Sequence, residues 1–300
     1  MTLKLIIVSL LFLTHATGSV WAQPRGPSEG WSGIADGLAV FQGSSDLSGA
    51  GSFTSQRTFL RGGGLYRFES GQSVGLLVST GNISYDFGNP GNEPWNDVKD
   101  LRISLPLRFS INDRVNAFVA PSVRYDYQSG ASASDGRSYG AFAGITWRLN
   151  DRLTIGPGAG VFSQIEDDDL EVFPALLIDW DISDRWNFST GSGLGATQGP
   201  GLTLTYDHTD DWSFSLSARS EEIRFRLDDR GLAPNGVGQD SSFPVVVSVQ
   251  YKPTPFLSLT AFAGAEFDGE LQLDDSSGAT VDKQSYDTAP IAGIAFRLFF

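Results

Sequence analysis

IAGIAFRLFF, residues 291–300, closes the chain and decides the fold. The residues at every second position counted back from the end are all apolar: Ala292, Ile294, Phe296, Leu298 and Phe300. The other parity contains Arg297 and Gly293. A period of two with one apolar face is typical of a β-strand. The sequence therefore predicts a carboxy-terminal strand that has one lipophilic face and ends in an aromatic residue.

This ending resembles the closing strand of bacterial outer-membrane β-barrels, which the barrel-assembly machinery reads as an insertion signal. The resemblance implies that Ile294, Phe296, Leu298 and Phe300 form an assembly signal. It also implies a location in the bacterial outer membrane, among its lipids and lipopolysaccharide. The resemblance thus implies where the protein is located and how it is folded, but it implies no catalytic or binding activity.

The amino terminus is consistent with export through the inner membrane. Lys4 precedes the apolar run 5–13, and small and polar residues then lead to Val20, Trp21 and Ala22. A charged start, a short apolar run and a small residue at the cleavage point are typical of a signal peptide. We predict cleavage after Ala22, so that residues 1–22 are removed and residues 23–300 form one barrel domain. The alternative is an uncleaved membrane anchor.

Composition excludes several classes of function. The chain has no cysteine, so disulfides and thiolate metal sites are excluded. The formal net charge of −14 becomes −15 when the signal peptide with Lys4 is removed, and such acidity argues against nucleic acid as a partner. Apolar stretches of about 18 residues, which a spanning helix requires, do not occur in the sequence. Glycine, aromatic residues and short alternating segments favour a membrane β-barrel instead.

Short clusters of turn-forming residues recur along the chain. Asp, Asn, Gly and Pro favour turns because of side-chain hydrogen bonds, positive φ or a fixed φ. The clusters are Glu69–Gln72, Asn112–Arg114, Asn150–Arg152, Ser183–Arg185, Thr209–Asp211 and Lys252–Pro255. We interpret all six as short periplasmic turns, which implies seven hairpins and about 14 strands in an up-and-down antiparallel transmembrane barrel. The hairpin at residues 34–68 is the least regular, so 12 strands is the alternative.

The opposite connections are expected to be longer, as outer loops of membrane barrels are. They fall around residues 87–97, 128–137, 228–240 and 273–286. Five prolines fall inside predicted strands, where each would remove a hydrogen bond of the ladder. We therefore expect bulges or kinks at Pro106, Pro121, Pro157, Pro174 and Pro244.

Alternation is most regular between residues 101 and 110, where odd positions are apolar and even positions are Arg, Ser or Pro. We assign the apolar parity to lipid and the polar parity to the lumen. Tryptophans beside the short turns fit an aromatic girdle at the membrane interface, the alternative being ordinary sheet packing. These are Trp147, Trp180, Trp186 and Trp212.

Two further stretches resemble an uncharacterised family of bacterial outer-membrane barrel proteins. One combines Arg224–Asp229 with Ala233–Gly238, and the other is Tyr286–Pro290 running into the terminal strand. With the Asn-Asp-Arg turns, the resemblance covers most of the mature chain. It implies the fold and the location and carries no known activity. Alternation breaks near residues 220–222, where we expect a bulge or the membrane boundary.

The sequence does not favour an enzyme. After removal of the signal peptide one histidine remains, His208, which with Asp207 could suggest a catalytic dyad. Our strand assignment places His208 in a periplasmic turn, and we interpret it as a polar turn residue. The acidic run Glu166–Asp169 could bind a divalent cation, but its spacing matches no EF-hand, and a solvated loop is the preferred interpretation. We predict no catalytic residue, metal or cofactor.

The lumen remains as the candidate site. Charged residues that share the inward parity and could line a pore are Arg102, Arg108, Arg124, Asp126, Arg148, Asp179 and Arg297. Asp181, Asp207, Glu266 and Asp268 are assigned to the same face. Rings of fixed charge set selectivity in pores. The alternative is a closed network of ion pairs that fills a narrow barrel.

The preferred functional hypothesis is a passive channel for small solutes. The second is a closed structural or interaction barrel whose outer loops bind lipopolysaccharide or a partner. A third is uptake of hydrophobic compounds past an amino-terminal plug at Gln23–Gly33, including Trp31; an unstructured lead-in is the simpler interpretation of that segment.

Overall fold

The computed structural model describes residues 29–49, 51–88, 93–165, 170–191 and 201–300. The predicted signal peptide, residues 1–22, lies outside these ranges, as do Gln23–Ser28 of the predicted plug and the acidic run Glu166–Asp169. Within the described ranges, no helix is long and apolar enough to cross a membrane.

The described residues form a single sheet of 17 β-segments. Their bounds are β1 Gly30–Asp46, β2 Ser52–Arg67, β3 Ser73–Phe87, β4 Val98–Ser104, β5 Leu107–Asn112, β6 Val115–Gln128, β7 Arg137–Asn150, β8 Leu153–Ser163, β9 Leu170–Asp181, β10 Trp186–Thr190, β11 Gly201–Asp207, β12 Trp212–Arg219, β13 Glu221–Arg226, β14 Val237–Thr254, β15 Leu257–Asp274, β16 Thr280–Tyr286 and β17 Ala289–Phe299.

The sheet closes on itself as an antiparallel barrel of 14 strands. Three consecutive pairs of segments, β4–β5, β12–β13 and β16–β17, each continue one strand across a short interruption. Each strand pairs antiparallel with its neighbour in the chain, and β1 closes the barrel by pairing with β17, with Ile34 opposite Phe299 and Gln42 opposite Ile291. The prediction of 14 strands is confirmed, including the hairpin at residues 34–68. Closure removes both sheet edges, so every strand has two neighbours.

All six predicted short turns connect strands at one end of the barrel, which we call the short-turn end. In several of them the first polar residue accepts hydrogen bonds from the turn backbone: the Asn112 side-chain oxygen accepts from the N–H groups of Arg114 and Val115, both at 2.9 Å. Asn150 accepts from Arg152 at 2.8 Å, and Thr209 accepts from Trp212 at 3.1 Å. These side-chain bonds mimic a backbone turn, which explains why Asn and Thr recur there.

The outer surface carries an apolar band next to the short-turn end. Exposed apolar side chains project outward from strand after strand, for example Leu76, Val172, Leu216, Val247 and Ile294. The predicted girdle tryptophans, Trp147, Trp180, Trp186 and Trp212, are exposed beside the short turns. In water such a continuous apolar surface would be unfavourable, so this band is the membrane-spanning part of the barrel.

Beyond the band, on the side away from the short turns, the polarity of several strands inverts. In β3, Val74, Leu76 and Val78 face outward and are exposed, whereas Ile83 and Phe87 face inward and are buried. The outward positions beyond Val78 are polar, from Thr80 to Asp86. β15 changes in the same way, from outward Phe267 to inward Leu271 and Leu273. The barrel thus extends past the membrane as a water-soluble barrel with an apolar interior; we call this side the long-loop end.

The inversion in β15 coincides with a bulge at Asp268. The register shifts between Ser241 and Phe243 of β14, so that Asp268 is an extra residue with a φ of 51°. Aspartate is among the few residues that adopt this left-handed conformation. The prediction that Asp268 faces the lumen is wrong, because the bulge turns it outward and leaves it exposed.

The prediction of a long connection around residues 273–286 is also wrong. This segment is a hairpin in which β15 and β16 pair from Gly269 opposite Tyr286 to Asp274 opposite Thr280. Asp275 closes its turn by accepting hydrogen bonds from the Ser277 backbone and hydroxyl and from the Ala279 backbone. These donors hold the pKa of the exposed Asp275 carboxyl below its usual value.

The prolines behave in two ways. Pro106 lies in the break between β4 and β5, so the expected irregularity is confirmed there; Pro244 itself pairs in register with Glu266, close to the bulge at Asp268 in the neighbouring strand β15. The other three pair in regular register on one side: Pro121 with Ala141, Pro157 with Leu176 and Pro174 with Ala159. The break at Pro106 adjoins Pro121, whose carbonyl accepts from Leu105 at 2.9 Å. One interruption thus accommodates two prolines.

Candidate functional site in the barrel lumen

Pairing across β4 and β6 creates a compact block of four charged side chains on the inner wall. Asp100 lies opposite Asp126, and Arg102 lies opposite Arg124. Arg124 Nε contacts Asp100 Oδ2 at 2.8 Å and Asp126 Oδ2 at 2.5 Å, and both carboxylates are buried. Three predicted lumen residues, Arg102, Arg124 and Asp126, are therefore brought together, and Asp100 is a member that the prediction omitted.

A second group connects the barrel closure to β2. Arg61 is paired with Asp36 of β1, and Arg297 of β17 approaches the same carboxylate with its Nε at 3.8 Å. Asp36 lies directly opposite both Arg61 and Arg297 in the two ladders. The predicted lumen residue Arg297 thus lies on the inner wall beside a carboxylate.

The remaining predicted residues are spread over the half of the lumen near the short-turn end. Arg108 of β5 lies opposite Ser73, which in turn lies opposite Arg67 of β2, so a row across three strands carries two arginines. Arg148 is exposed near the end of β7. Asp179 of β9 accepts a hydrogen bond from the Asn187 side chain at 2.8 Å, and Asp181 accepts from the same group at 3.0 Å.

The charges are distributed unequally around the lumen. Arginines predominate on the wall formed by β2 and β4–β7, and the carboxylates of Asp179, Asp181 and Asp207 lie on β9 and β11. The two parts of the wall therefore carry fixed charge predominantly of opposite sign, which makes the electrostatic potential in the lumen uneven.

A buried ion cluster centred on Arg57 occupies the lumen further toward the long-loop end. Arg57 binds both carboxylate oxygens of Glu266, at 2.7 and 3.2 Å, and its guanidinium also contacts Glu221 at 3.4 Å and Asp240 at 3.8 Å. Gln42 accepts from Arg57 at 3.0 Å. The side chain of Arg57 is 3% exposed and that of Glu266 is 1% exposed. One cation thus holds carboxylates from three different strands.

Sequence reasoning missed Arg57, Glu221 and Asp240. A signal was available for Arg57, because it shares the inward parity of β2 with Phe53 and Phe59. A charged residue on an otherwise apolar buried face requires a partner. The partners themselves could not be identified, because they lie on strands far away in the chain.

An apolar cluster surrounds the Arg57 group and extends from it toward the long-loop end. It consists of inward residues of β1–β4 and β13–β17, with Trp95 from the connection between β3 and β4. Phe53, Phe225, Leu273 and Val98 are almost completely buried in it. Trp95 packs edge-on against Phe225 at 5.1 Å between ring centres. We call this the luminal apolar cluster.

Residues 221–236, comprising β13 and the connection to β14, extend across the mouth; we call them the cross-mouth segment. Arg226 pairs with Tyr127 of β6 in a single parallel bridge. Its guanidinium donates to the carbonyls of Asp135, at 3.1 Å, and Ile165, at 3.0 Å, which belong to two other connections. The backbone N–H of Asp228 also donates to the Gln128 side chain at 3.2 Å. The segment thereby ties one side of the barrel to the other.

A ladder of four phenylalanine rings covers another part of the inner wall. Phe118, Phe142, Phe173 and Phe162 stack in succession, with centroid distances of 5.7, 6.0 and 5.8 Å. Glycines of β7 and β8 make room for them; a Cβ at Gly160 would lie 1.9 Å from Phe173 Cζ. Phe142 and Phe173 are each 2% exposed, so the two central rings of the ladder are packed without solvent access.

His208 lies in the predicted short turn. Its backbone N–H donates to the Trp212 carbonyl at 3.0 Å, and its ring lies 6.3 Å from that of Tyr206 and 6.2 Å from that of Phe214. Trp31, which the sequence placed in a plug or a lead-in, belongs instead to β1, where it lies opposite Tyr66 and packs on its ring at 5.3 Å.

Comparison with known proteins identifies neither a family nor a curated relative. No family model matches the chain, and no curated protein matches it. Solved structures of similar shape include an outer-membrane channel from Pseudomonas putida F1, with 11% identity over 93% of this chain and 100% of that one and a TM-score of 0.49. A Pseudomonas aeruginosa FadL homologue has 13% identity over 90% of each chain and a TM-score of 0.46. The KdgM porin has 8% identity over 87% of this chain and 97% of its own, with a TM-score of 0.36.

Proposed function

We propose that this chain is an integral outer-membrane barrel for passive passage of small solutes, closed at its long-loop end in the resting state. The observation that carries the proposal is the charged, partly accessible inner wall of the membrane-spanning half. A purely structural barrel gains nothing from unequal charge there, whereas fixed charges select solutes in pores. The predicted residues Arg102, Arg108, Arg124, Asp126, Arg148, Asp179 and Arg297 are the proposed lining.

The outer-membrane location rests on the barrel's own surface. The outward apolar band requires a lipid environment, and both ends of the described chain lie at the short-turn end together with the six short turns. That arrangement is expected when short turns face the periplasm and longer connections face outward. Export by cleavage after Ala22 belongs to the same proposal, as do contacts of the outer surface with lipid and lipopolysaccharide.

Closure at the long-loop end is assigned to the cross-mouth segment. Arg226 joins it to two other connections through the carbonyls of Asp135 and Ile165. These bonds come from a charged donor, and such bonds contribute about 1.5–3 kcal/mol when buried and less when exposed, as they are in part here. Loss of them should weaken closure, to which Phe225 and Leu227 of the same segment also contribute by packing in the luminal apolar cluster.

Replacing Arg226 with glutamine should raise the open probability of the refolded mature chain in a planar bilayer about tenfold, which corresponds to about 1.4 kcal/mol. Wild-type protein should show brief, discrete conductance steps. In the Arg226→Gln background, Arg108→Glu should shift ion preference toward cations, because the lumen then carries less positive charge.

The matched control is Arg230→Gln. Arg230 belongs to the same segment, but it is exposed and contacts only the neighbouring Asp229, at 3.6 Å, among the ion pairs of the described residues. Its replacement should leave conductance unchanged. If wild type and Arg226→Gln are both folded, as shown by a heat-modifiable gel shift, and both are silent, the passage proposal fails. The closed barrel would then be correct, and the packing of Phe142, Phe173 and Glu266 favours that second candidate.

Phe300→Ala should lower the fraction of chain that inserts into the outer membrane several-fold, because the terminal aromatic residue is the proposed signal for the assembly machinery. The backbone of Phe300 exchanges hydrogen bonds with Gly33, and its ring covers that glycine. The measurement is the heat-modifiable fraction in outer-membrane preparations. Phe256→Ala, another exposed phenylalanine at the short-turn end, is the control. Equal insertion of both variants would contradict the assignment.

A further inference from the structure

A cavity of about 170 Å³ lies at the long-loop end, at the outer limit of the luminal apolar cluster. Its walls come from four places that are remote in sequence: the turn between β1 and β2, the end of β3, the residues around Trp95, and the β15–β16 hairpin. None of the groups already proposed to line the pore contributes to it. The cavity therefore requires an explanation of its own.

The cavity has rigid walls that combine apolar side chains with polar groups. Leu271 and Leu273 line it from β15, and Phe87 and Trp95 line it from the opposite side. The Trp95 ring is 2% exposed and is held edge-on by three aromatic rings, those of Tyr85 at 5.6 Å, Phe87 at 6.0 Å and Phe225 at 5.1 Å. Such a wall is formed before any ligand arrives, which lowers the entropic cost of binding.

Two polar side chains that line this cavity each contain a buried atom without a hydrogen-bond partner. They are the donor Nε1 of Trp95 and the acceptor Oε1 of Gln284. The Gln284 amide nitrogen donates to Asp282 at 2.7 Å, which fixes the orientation of the amide. An unsatisfied buried group costs about 1–3 kcal/mol, and native proteins contain few of them. A donor and an acceptor left unsatisfied at one cavity indicate a missing partner.

The two atoms define the chemistry of that partner. A hydroxyl group can accept from Trp95 Nε1 and donate to Gln284 Oε1 at once. The volume resembles that of an engineered apolar cavity of about 150 Å³ that binds benzene, so one six-membered ring fits. Asp282, which also lines the cavity, disfavours an anion. We propose that the cavity binds a small neutral compound composed of one ring and one hydroxyl group, of which phenol is the simplest aromatic example.

The site also depends on a glycine. A Cβ at Gly49 would lie 2.8 Å from the Gln284 amide carbon and oxygen. Any larger residue would therefore displace the acceptor. Gly49→Ala is for this reason a second way to disturb the site, one that moves the Gln284 amide without replacing that residue.

The test uses the full mature chain refolded in detergent, labelled with 5-fluorotryptophan, with phenol as the probe. The fluorine signal of Trp95, identified by its loss in Trp95→Phe, should shift saturably, while that of Trp212 on the outer surface should not. Phenol should bind about three- to tenfold more tightly than benzene, as expected for the gain of hydrogen bonds between neutral groups. Gln284→Met and Gly49→Ala should each remove that advantage.

Gln56→Met is the matched control, because Gln56 is an exposed glutamine on the outer face of β2. It should bind phenol as wild type does. The proposal is overturned if phenol leaves the Trp95 signal unchanged, which would indicate a cavity for water alone. It is also overturned if Trp95 and Trp212 shift together, or if benzene binds wild type as tightly as phenol. These readouts do not involve conductance, so the passage proposal can fail without affecting the binding site.

Discussion

Arg57→Met should lower the free energy of unfolding by about 3–5 kcal/mol, the usual cost of removing one partner from a buried ion pair. The methionine retains most of the volume but removes the cation that contacts Glu221, Asp240 and Glu266; Glu221 keeps a second arginine, Arg219, at 3.5 Å. Three carboxylates of like charge would then remain close together in a space with little water. The measurement is a urea titration of refolded protein in lipid vesicles, followed by the heat-modifiable gel shift.

Two further variants test whether the loss of stability comes from the buried ion cluster. Arg152→Met removes an ion pair with Asp184 in which the side chains are 55% and 86% exposed, and it should change stability by less than about 1 kcal/mol. The double variant Arg57→Met with Glu266→Gln should recover part of the loss, because one of the unpaired carboxylates becomes neutral. If Arg57→Met is no more costly than Arg152→Met, the cluster does not stabilise the barrel.

Gly160→Ala should destabilise the barrel by about 1–3 kcal/mol, as overpacking of a well-packed interior does. The added Cβ would lie 1.9 Å from Cζ of Phe173 and 2.4 Å from its Cε1, so the ring must leave its place in the phenylalanine ladder. Phe173 stacks on both Phe142 and Phe162, and the displacement therefore disturbs three rings. The same urea titration measures the effect.

The control for this substitution is Gly62→Ala. At Gly62 the nearest atom to an added Cβ is the Ile34 carbonyl oxygen, at 3.8 Å, so the alanine fits without a clash. It should be neutral or slightly stabilising, because alanine loses less conformational entropy on folding than glycine. Phe173→Leu combined with Gly160→Ala should recover stability, since the smaller side chain vacates the contact. A loss in both glycine variants would mean that glycine is required by the strands and not by the ladder.

Features that depend on neighbouring residues were predictable. The Asn112 and Asn150 turns were located because the side chain of a turn residue bonds the backbone two residues later. The outward parity of strands such as β6 and β17 followed from the period of two. The inward positions of Arg102, Arg124 and Arg297 followed from the same parity, although parity alone gave no contact partners.

The incorrect predictions share a physical cause. Asp268 was assigned to the lumen because a strict period of two was extended through a bulge, and one inserted residue reverses every later parity. The hairpin at Asp275 was taken for a long connection because β16 is mostly polar and because β15 beyond Asp268 is polar on the outside and apolar inside. That pattern is the inverse of the one expected for a strand in lipid.

The sequence by itself determined that the chain forms a closed antiparallel barrel with short turns at one end, because turn chemistry and strand period are properties of adjacent residues. Only the tertiary structure decided what the barrel encloses. Arg57 meets Glu221 and Glu266 across separations of 164 and 209 residues, and the Trp95 cavity joins four distant segments. Such contacts depend on the register with which the first and last strands close the barrel. That register follows from the packing of all 14 strands together and is not encoded in any one segment.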